Sequence, residues 1–468
     1  MAWRFRGKGT MRNGATFLLL LFLNLKVASA QAADQPARPD SSCHIEATNY
    51  KGWSAQQLSN RWLKLEVIPQ NGGRLIQVTF AGHSFLFVNP EYEGKYLPPD
   101  PNRWFNYGGD KIWLLPEGNN DEQHWVGNSD VIDDGPYTFR KLSEGRECEI
   151  ELTGPVDPQT GIQIRRTILL DPNSPHIHFH ATMQNKTGHV IEWSIQSVSQ
   201  YNTADPSNPS HNNPDFWTFT PANPSSSYLN RYHVRFGPAE NPAVSVRDDG
   251  FFALHYVHRG AELWLDSTPG WVAVVDGTSR YAMVERFRYE KNETYPGKAS
   301  VIFWTNGPEM RLSPDGEPSI PSGGDGSPRY LEAELNSPLV ELQPGETRDF
   351  DTDWFPTRTG GSEFHGVEDA GIVIRPLRAT LLETGHLRLS GSFGVFFPGR
   401  LVAHLYSEHG SSVGTMPLTQ VDPAELVVLE TELTPSEKPA RISLHLEDAS
   451  GLDRGSLQEI PINTLETH

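Results

Sequence analysis

Residues 62–90, WLKLEVIPQNGGRLIQVTFAGHSFLFVNP, decide the fold class of this 468-residue chain. Apolar and polar residues alternate through most of the segment, and Gly72-Gly73 and Ala81-Gly82 interrupt the alternation. Alternation between turn glycines is typical of consecutive antiparallel strands. The segment therefore predicts a series of β-hairpins.

Strand-like runs separated by Gly, Pro, Asn and Asp clusters continue through residues 43–358, and helical periodicity is scarce. This pattern predicts an all-β fold, a large antiparallel sandwich or barrel. Residues 359–368 are expected to form a linker. Residues 369–468 have shorter, evenly spaced strand-like runs, which predict a small immunoglobulin-like β-sandwich.

The N-terminal residues have the features of an export signal. A basic start, an apolar run from Phe17 to Leu25 and the small residues Ala28-Ser29-Ala30 predict a signal peptide at 1–30, followed by a disordered linker at 31–42. The apolar run is too short for a membrane span, which needs roughly 20 residues. We therefore expect an exported protein, periplasmic or extracellular, with no membrane span.

The charge balance argues against two classes of partner. The net charge is −19, and removal of 1–30 would leave 34 Lys and Arg against 58 Asp and Glu, a net charge of −24. Such a surface repels nucleic acid and anionic membranes. In an oxidising compartment the two cysteines, Cys43 and Cys148, either form a disulfide or remain free.

The block around NYGGDKIW, residues 106–113, is the densest group of candidate ligand-binding residues. Aromatic faces stack on sugar rings, and charged groups bind hydroxyls. The alternative is that the tryptophans cap the core beside a solvated turn. The candidates in and beside this block are Trp104, Tyr107, Asp110, Lys111 and Trp113, and His124 in the following loop extends them.

Two alternating sets of side chains raise the question of a metal. His176, His178 and His180 would share one face of a strand, as would Asp349, Asp351 and Asp353. Zinc or calcium is conceivable at such sets, but a polar outer face explains both more simply. We predict neither a metal site nor a cofactor.

Several segments, in order, resemble galactose mutarotase-like (aldose 1-epimerase-like) domains. They are 63–67 with Gly72-Gly73 and Ala81-Gly82, the MQNKT segment 183–187, and 330–346 with Trp354. The block Tyr107-Gly108-Gly109 with Trp113 is similar to an uncharacterised bacterial branch of that superfamily. The resemblance implies a β-supersandwich over 43–358 whose concave face binds carbohydrate.

The resemblance also implies acid–base chemistry, but the chain departs from true mutarotases. Where these enzymes carry a catalytic histidine, residues 193–200 have none, and Gln196 and Gln200 stand there instead. Glutamine binds hydroxyls but does not donate a proton as a general acid does. The family's base is a glutamate, a role that Glu332 or Glu334 could fill.

The sequence thus yields two hypotheses. In the first, the protein binds a carbohydrate and acts as an epimerase, isomerase or lyase, with Glu332 or Glu334 as base and Lys111 or His124 as acid. The ligand would be held by Arg74, Trp104, Tyr107, Asp110, Trp113, Gln196 and Gln200. In the second, it is a non-catalytic glycan-binding or envelope-associated protein. Whether it is an enzyme, and its oligomeric state, stay open.

Overall fold

A computed structural model describes residues 42–100, 103–118, 124–125, 130–308, 311–312, 318–319 and 326–464. The predicted signal peptide 1–30 and nearly all of the predicted linker 31–42 lie outside these residues. Strands dominate the described part, with short 3-10 helices at Pro90–Tyr92 and Pro296–Lys298. The all-β fold class predicted from the sequence is confirmed.

The strands are numbered in chain order. The first thirteen are β1 (His44–Tyr50), β2 (Trp53–Ser59), β3 (Leu63–Ile68), β4 (Arg74–Phe80), β5 (His83–Ser84), β6 (Asp110–Leu115), β7 (Thr138–Ser143), β8 (Cys148–Val156), β9 (Ile162–Leu170), β10 (Ile177–Asn185), β11 (Ile191–Asn202), β12 (Ala204–Asp205) and β13 (Asn208–Asn212). The next thirteen are β14 (Phe216–Pro221), β15 (His233–Phe236), β16 (Val244–Val246), β17 (Phe251–His255), β18 (Ala261–Leu265), β19 (Trp271–Asp276), β20 (Tyr281–Phe287), β21 (Val301–Thr305), β22 (Arg311–Leu312), β23 (Pro318–Ser319), β24 (Tyr330–Asn336), β25 (Val340–Leu342) and β26 (Thr347–Arg358).

Two large antiparallel sheets are formed by these strands. Sheet A has the order β1-β2-β3-β4-β6-β11-β24-β21-β18-β15, with β5 paired to β4 and β25 paired to β11. Sheet B has the order β16-β17-β14-β19-β20-β26-β10-β9-β8-β7. The small pairs β12-β13 and β22-β23 lie outside both sheets.

One hydrophobic core lies between the two sheets. Phe303 of sheet A stacks on Phe252 of sheet B with ring centroids 5.8 Å apart, and both rings are buried. Because side chains alternate along a strand, each strand of sheet A sends every second residue into this core and the others to its opposite face. We call that opposite face the open face of sheet A.

A second group of strands follows in residues 366–464. These are β27 (Gly366–Glu368), β28 (Gly371–Leu381), β29 (Leu387–Val395), β30 (Gly399–Tyr406), β31 (Ser412–Val421), β32 (Val427–Leu433), β33 (Arg441–Asp448), β34 (Asp453–Pro461) and β35 (Asn463–Thr464). They form two sheets, β27-β28-β29-β32 with β35, and β31-β30-β33-β34, around their own core. The immunoglobulin-like topology expected here stays a prediction.

The C-terminal sheets pack on the outer face of sheet B. Phe355 of β26 meets Phe396 with ring centroids 4.8 Å apart, and Asp422 accepts a hydrogen bond of 2.9 Å from the indole of Trp62. Residues Asp40–His468 form one compact unit. β27 lies inside the predicted linker 359–368, and the predicted domain limits at 43–358 and 369–468 stay predictions.

Cys43 and Cys148 form a disulfide, with Cα atoms 5.8 Å apart. Of the two alternatives left open by the sequence, pairing is the one found. Cys43 immediately precedes β1 of sheet A, and Cys148 is the first residue of β8 of sheet B. The disulfide therefore links the two sheets covalently.

Candidate functional site

The register of sheet A brings several predicted site residues onto its open face. Lys111 of β6 lies opposite Val198 of β11, which in turn lies opposite Glu334 of β24. Residues directly opposite each other across strands point to the same face. The same register groups Trp113 with Gln196, and Gln200 with Glu332.

Lys111 and Glu332 form a buried ion pair on this face. The Lys111 Nζ lies 3.3 Å from Glu332 Oε1, and the same oxygen accepts a 2.6 Å hydrogen bond from Gln200 Nε2. All three side chains are at least 94% buried. One carboxylate oxygen of Glu332 thus has both a cation and an amide N–H as partners.

Glu334, two residues along the same strand, is in a different electrostatic state. Its Oε2 accepts a 2.5 Å hydrogen bond from Gln196 Nε2. Burial, and then the negative charges of Glu332, Glu262 and Glu117, raise the pKa of Glu334 well above its usual range. The protonated form of Glu334 is therefore favoured more than in an ordinary carboxyl, whereas Glu332 on the same strand faces the ammonium group of Lys111. Acid–base catalysis uses carboxyl groups whose environments differ in this way.

Two tryptophans flank the ammonium group of Lys111. Its Nζ lies 4.3 Å from the ring centroid of Trp113 and 5.9 Å from that of Trp104. Trp113 is buried, whereas Trp104 is 37% exposed. Of the predicted stacking residues, Trp104 thus offers a face to solvent, while Trp113 supports Lys111 from within.

A cavity of about 130 Å³ opens beside Glu334, and we call it the carboxylate pocket. Glu334 and Gln196 line it together with Glu117, which follows β6, and Glu262 of β18. The other residues that line it are Leu115, Pro116, Arg235, Trp264, Pro296, Gly297 and Ile302. Three carboxylates from three parts of the chain therefore share one small space.

Glu117 and Glu262 were missed by the sequence analysis. Glu262 is half-buried, and its Oε1 accepts a 2.6 Å hydrogen bond from Trp264 Nε1. Desolvation, with Glu332 adding to it, raises the pKa of Glu262. A signal existed for it, because Glu262 and Trp264 alternate within a predicted strand and so share a face. Glu117 is exposed at the mouth of the pocket, and no local pattern marked it.

His124, a predicted acid, lies near the pocket but does not line it. A side chain at Gly118 would come within 2.5 Å of the His124 Cβ, so the histidine packs directly over that glycine. Gly118 follows Glu117, which places His124 at the edge of the site.

Arg74 is not at the sheet rim, and the prediction that it binds the ligand is corrected. Its side chain is fully buried. The guanidinium donates to the carbonyls of Asn71, Gly108 and Asp133 and pairs with the Asp133 carboxylate at 2.7 Å. Its role is to hold the loop 130–137 against the β3–β4 turn.

Asp110 and Tyr107 are also corrected. Asp110 points into the core between the sheets, where it pairs with Arg166 of β9 and accepts a 3.2 Å hydrogen bond from Ser199. Tyr107 is buried, and its hydroxyl contacts the backbone of Leu97. Neither side chain lines the carboxylate pocket. Asp110 is turned away from it because Asp110 and Lys111 are neighbours on a strand and point to opposite faces.

A larger cavity of about 880 Å³ lies elsewhere on the chain. Residues from the β4–β5 hairpin, the 3-10 helix at Pro90–Tyr92 and the β12–β13 pair line it, and its size is typical of ligand sites. In its lining Lys51 pairs with Glu93 at 2.5 Å and Asp276 accepts a 2.8 Å hydrogen bond from Asn213, whereas the buried Nε of Arg329 has no hydrogen-bond partner among the described residues. None of the Lys111, Glu332 and Glu334 group lines it.

The two alternating sets considered for a metal turn out to face each other across β10 and β26. His178 Nδ1 lies 2.9 Å and His176 Nε2 2.6 Å from Asp353 Oδ1, and His180 Nδ1 lies 2.7 Å from Asp351 Oδ1. Within the described residues, no group of three or more His, Cys, Asp or Glu side chains is arranged to hold a metal ion. In the same residues, no helix has the length and apolar character needed to cross a bilayer.

Comparisons with known proteins add the following. No protein-family model and no curated protein matches the chain. Among solved structures, a galactose mutarotase-like protein from Clostridium acetobutylicum is 11% identical with a TM-score of 0.45, over 68% of this chain and 100% of that one. A galactose mutarotase-like protein from Lactobacillus casei is 10% identical with a TM-score of 0.42, over 65% and 100%.

A TPR-domain containing protein from Parabacteroides distasonis is 14% identical, with a TM-score of 0.44, over 68% of this chain and 48% of that one. The chain thus spans about half the length of this relative. Mutarotase-like proteins, the group that the sequence motifs resemble, are therefore among the structural neighbours. Similarity at this level does not extend to function.

Proposed function

We propose that the protein binds a carbohydrate in the carboxylate pocket and catalyses proton transfer at a sugar carbon or its oxygens, as an epimerase or isomerase does. The observation that carries this proposal is the difference between two glutamates on one strand. Glu332 is paired with Lys111 at 3.3 Å, whereas Glu334 is buried, forms no ion pair with any described residue and lines the pocket.

The chemistry needs one group that gives a proton and one that takes it. Glu334, whose raised pKa favours its protonated form, is the proposed acid, and it gives its proton to a sugar oxygen. Glu262, which lines the same pocket, is the proposed base. Lys111 and Glu332 are positioning residues, since neither lines the cavity. Glu334, first expected as a base, is thus proposed as the acid, and Lys111, first expected as an acid, is proposed as a positioning residue.

A uronate lyase is less well supported. Such a reaction needs a cation to hold the substrate carboxylate, and Arg74, the residue expected to do so, is buried among protein acceptors. Among the described residues that line the pocket, Arg235 is the one permanent cation, and it faces three carboxylates.

A second candidate is a glycan-binding protein without catalytic activity. Two observations favour it: no histidine is found among the described residues that line the pocket, and the cavity of about 130 Å³ is below the roughly 300 Å³ typical of small-molecule sites. A sugar would then rest on the open face with one group inserted into the pocket.

The two candidates are separated by measuring binding and exchange on the same samples. Calorimetric titration with a panel of aldoses and hexosamines detects binding, and NMR exchange spectroscopy measures the rate of anomer interconversion. We expect Glu334→Gln to retain binding but to lose at least about a hundredfold in exchange rate, the contribution typical of a general acid. Glu341→Gln, at an exposed position of β25, is the matched control.

Binding without accelerated exchange in the native protein would favour the non-catalytic candidate. If no member of the panel binds, both candidates fail. If Glu334→Gln exchanges as fast as the native protein, Glu334 is not the acid.

We also propose that the protein is exported to the periplasm or beyond the cell. The disulfide between Cys43 and Cys148 supports this, because such bonds persist mainly in oxidising compartments. Expression of the full chain in a bacterium, followed by fractionation and N-terminal sequencing, tests it. Cleavage after Ala30 is the expected result, and an uncleaved cytosolic chain would contradict it.

A further inference from the structure

We infer that the carboxylate pocket selects a sugar that carries a protonated amino group, such as a hexosamine. This rests on the proposed function and deepens it by naming the substrate class.

Acidic side chains outnumber basic ones in the pocket lining. Glu117, Glu262 and Glu334 all line it, against Arg235 as the one cation among the described lining residues. Lys111, a further cation on the open face, is engaged by Glu332 at 3.3 Å. A ligand with a positive charge therefore gains electrostatic energy in this pocket, and an anionic ligand loses it.

An unpartnered acceptor marks the floor of the pocket. Gln196 is 1% exposed, and its Nε2 is already committed to Glu334. Its Oε1 has no hydrogen-bond partner among the described residues, and the same holds for the Oε1 of the neighbouring Gln200. A buried acceptor without a hydrogen bond is unfavourable, so the site favours a ligand that presents donors.

An ammonium group supplies what these groups lack. It carries a positive charge and three N–H donors and has no acceptor. Carboxylates accept charge-assisted hydrogen bonds of this kind, and these are about twice as strong as neutral ones. The ring of Trp264, held in place by its hydrogen bond to Glu262, forms an aromatic wall against which a cation is also stabilised.

The protonation state of the pocket agrees with this interpretation. Desolvation and the carboxylates of Glu332, Glu262 and Glu117 raise the pKa of Glu334, while Lys111 lowers it. Closely spaced carboxyl groups repel one another when they are ionised. An ammonium held by Glu262 and Glu117 relieves that repulsion without requiring Glu334 to give up its proton.

The test compares matched ligands by calorimetry at pH 7. The probes are D-glucosamine, D-galactosamine and D-mannosamine, their parent hexoses, N-acetyl-D-glucosamine, D-glucuronate and the non-sugar pair cyclohexylamine and cyclohexanol. We expect at least one hexosamine to bind about tenfold or more tightly than its parent hexose and its acetylated form. D-Glucuronate should bind more weakly than D-glucose.

Variants assign the preference to the pocket. Glu262→Gln should reduce the ratio of hexosamine to hexose affinity by about tenfold while leaving hexose affinity within about threefold. Glu341→Gln, on the exposed side of β25, should leave the ratio unchanged. Thermal unfolding of each variant shows whether the fold is retained. Glu117→Gln is a second variant in which the same affinity ratio is measured, and it changes a residue that is exposed overall.

The outcomes separate the inference from the proposed function. If hexoses bind as well as hexosamines, or if D-glucuronate binds best, the inference is overturned while sugar binding stands. If no sugar binds but cyclohexylamine binds and cyclohexanol does not, the selectivity for a cation is supported and the carbohydrate function fails. If neither the sugars nor cyclohexylamine bind, both are overturned.

Discussion

Lys111 of β6 and Glu332 of β24 form a buried ion pair across the intervening strand β11, with 3.3 Å between Nζ and Oε1. The two residues are 221 positions apart in the chain, so the pair forms only when sheet A is assembled. Gln200 of β11 lies between them and donates to the same Glu332 oxygen. The open face is thus held together by charge as well as by the sheet.

Replacing Lys111 by Met should therefore destabilise the fold strongly. The change leaves the Glu332 carboxylate buried without its cation, which costs about 3–5 kcal/mol in the free energy of unfolding. Urea denaturation measures the loss. The control is Lys64→Met at an exposed position of β3, where a change within about 0.5 kcal/mol is expected.

The double variant Lys111→Met with Glu332→Gln distinguishes the cause. Because the second change removes the uncompensated charge, part of the lost stability should return. Equal losses in the single and double variants would show that Lys111 stabilises the sheet through packing alone.

The protonation of Glu334 gives the unfolding free energy a defined pH dependence. The pKa of Glu334 is raised in the folded state above its ordinary value of 4.5, so the folded protein binds the proton more tightly than the unfolded chain. This contribution to stability is fully present below pH 4.5 and is lost as the pH rises through the folded-state pKa. The slope from one such group reaches about −1.4 kcal/mol per pH unit.

Denaturation curves from pH 4 to 9 test this dependence. Glu334→Gln mimics the protonated state and should show a flatter decline of stability with rising pH than the native protein. Glu341→Gln should retain the native slope. A parallel decline in the Glu334 variant would mean that another group, such as Glu262, carries the dependence.

Local patterns in the sequence predicted much of sheet A and sheet B. Strands β3 and β4 lie within residues 62–90, where the sequence predicts hairpins, because alternation and flanking turn residues are properties of adjacent positions. The block at 106–113 was different. For this block the sequence leaves two possibilities, a ligand-binding cluster or tryptophans that cap the core beside a solvated turn. In the structure residues 110–115 form β6, in the middle of sheet A.

The position of β6 explains why the candidate residues of this block point in different directions. Gly108 and Gly109 have positive φ angles of 92° and 77°, and a Cβ on Gly108 would lie 2.1 Å from the carbonyl oxygen of Phe87. The two glycines therefore allow the backbone segments before β6 to approach each other closely, and they do not form a binding loop. Within β6, Lys111 faces the open side and Asp110 the core, where Arg166 compensates its charge. Long-range pairing of this kind leaves no local pattern.

The ladder of histidines and aspartates on sheet B leads to a second pH prediction. A hydrogen bond to Asp353 is the main cause that raises the pKa of His178. Partial burial raises the pKa of Asp353, but the hydrogen bonds from His176 and His178 lower it by more, so that the pKa lies below its ordinary value. The contribution of His178 to the free energy of unfolding is present below pH 6.5 and is lost as the pH rises through the folded-state pKa of the histidine. The contribution of Asp353 is present above pH 3.8 and is lost as the pH falls through the folded-state pKa of the aspartate.

His178→Asn should therefore cost more stability at pH 5.5 than at pH 8.5. Both side chains are about one-third exposed, so we expect a small difference, measurable as a shift in the melting temperature. His189→Asn, at an exposed loop position, should cost the same at both pH values. If His178→Asn is equally destabilising at both, the contact to Asp353 does not depend on the histidine's charge.

Trp104 offers a way to find how far a bound sugar extends from the carboxylate pocket. It is 37% exposed and lies against Lys111 rather than in the pocket lining. Stacking of a sugar ring on it should make Trp104→Ala weaken binding about fivefold or more, the effect of losing at least about 1 kcal/mol at a contact. Tyr96→Ala, at a 45% exposed aromatic residue, is the control and should leave affinity unchanged. If titration shows equal affinity in the native protein and Trp104→Ala while Trp264→Leu binds weakly, the ligand is confined to the pocket beside Glu334.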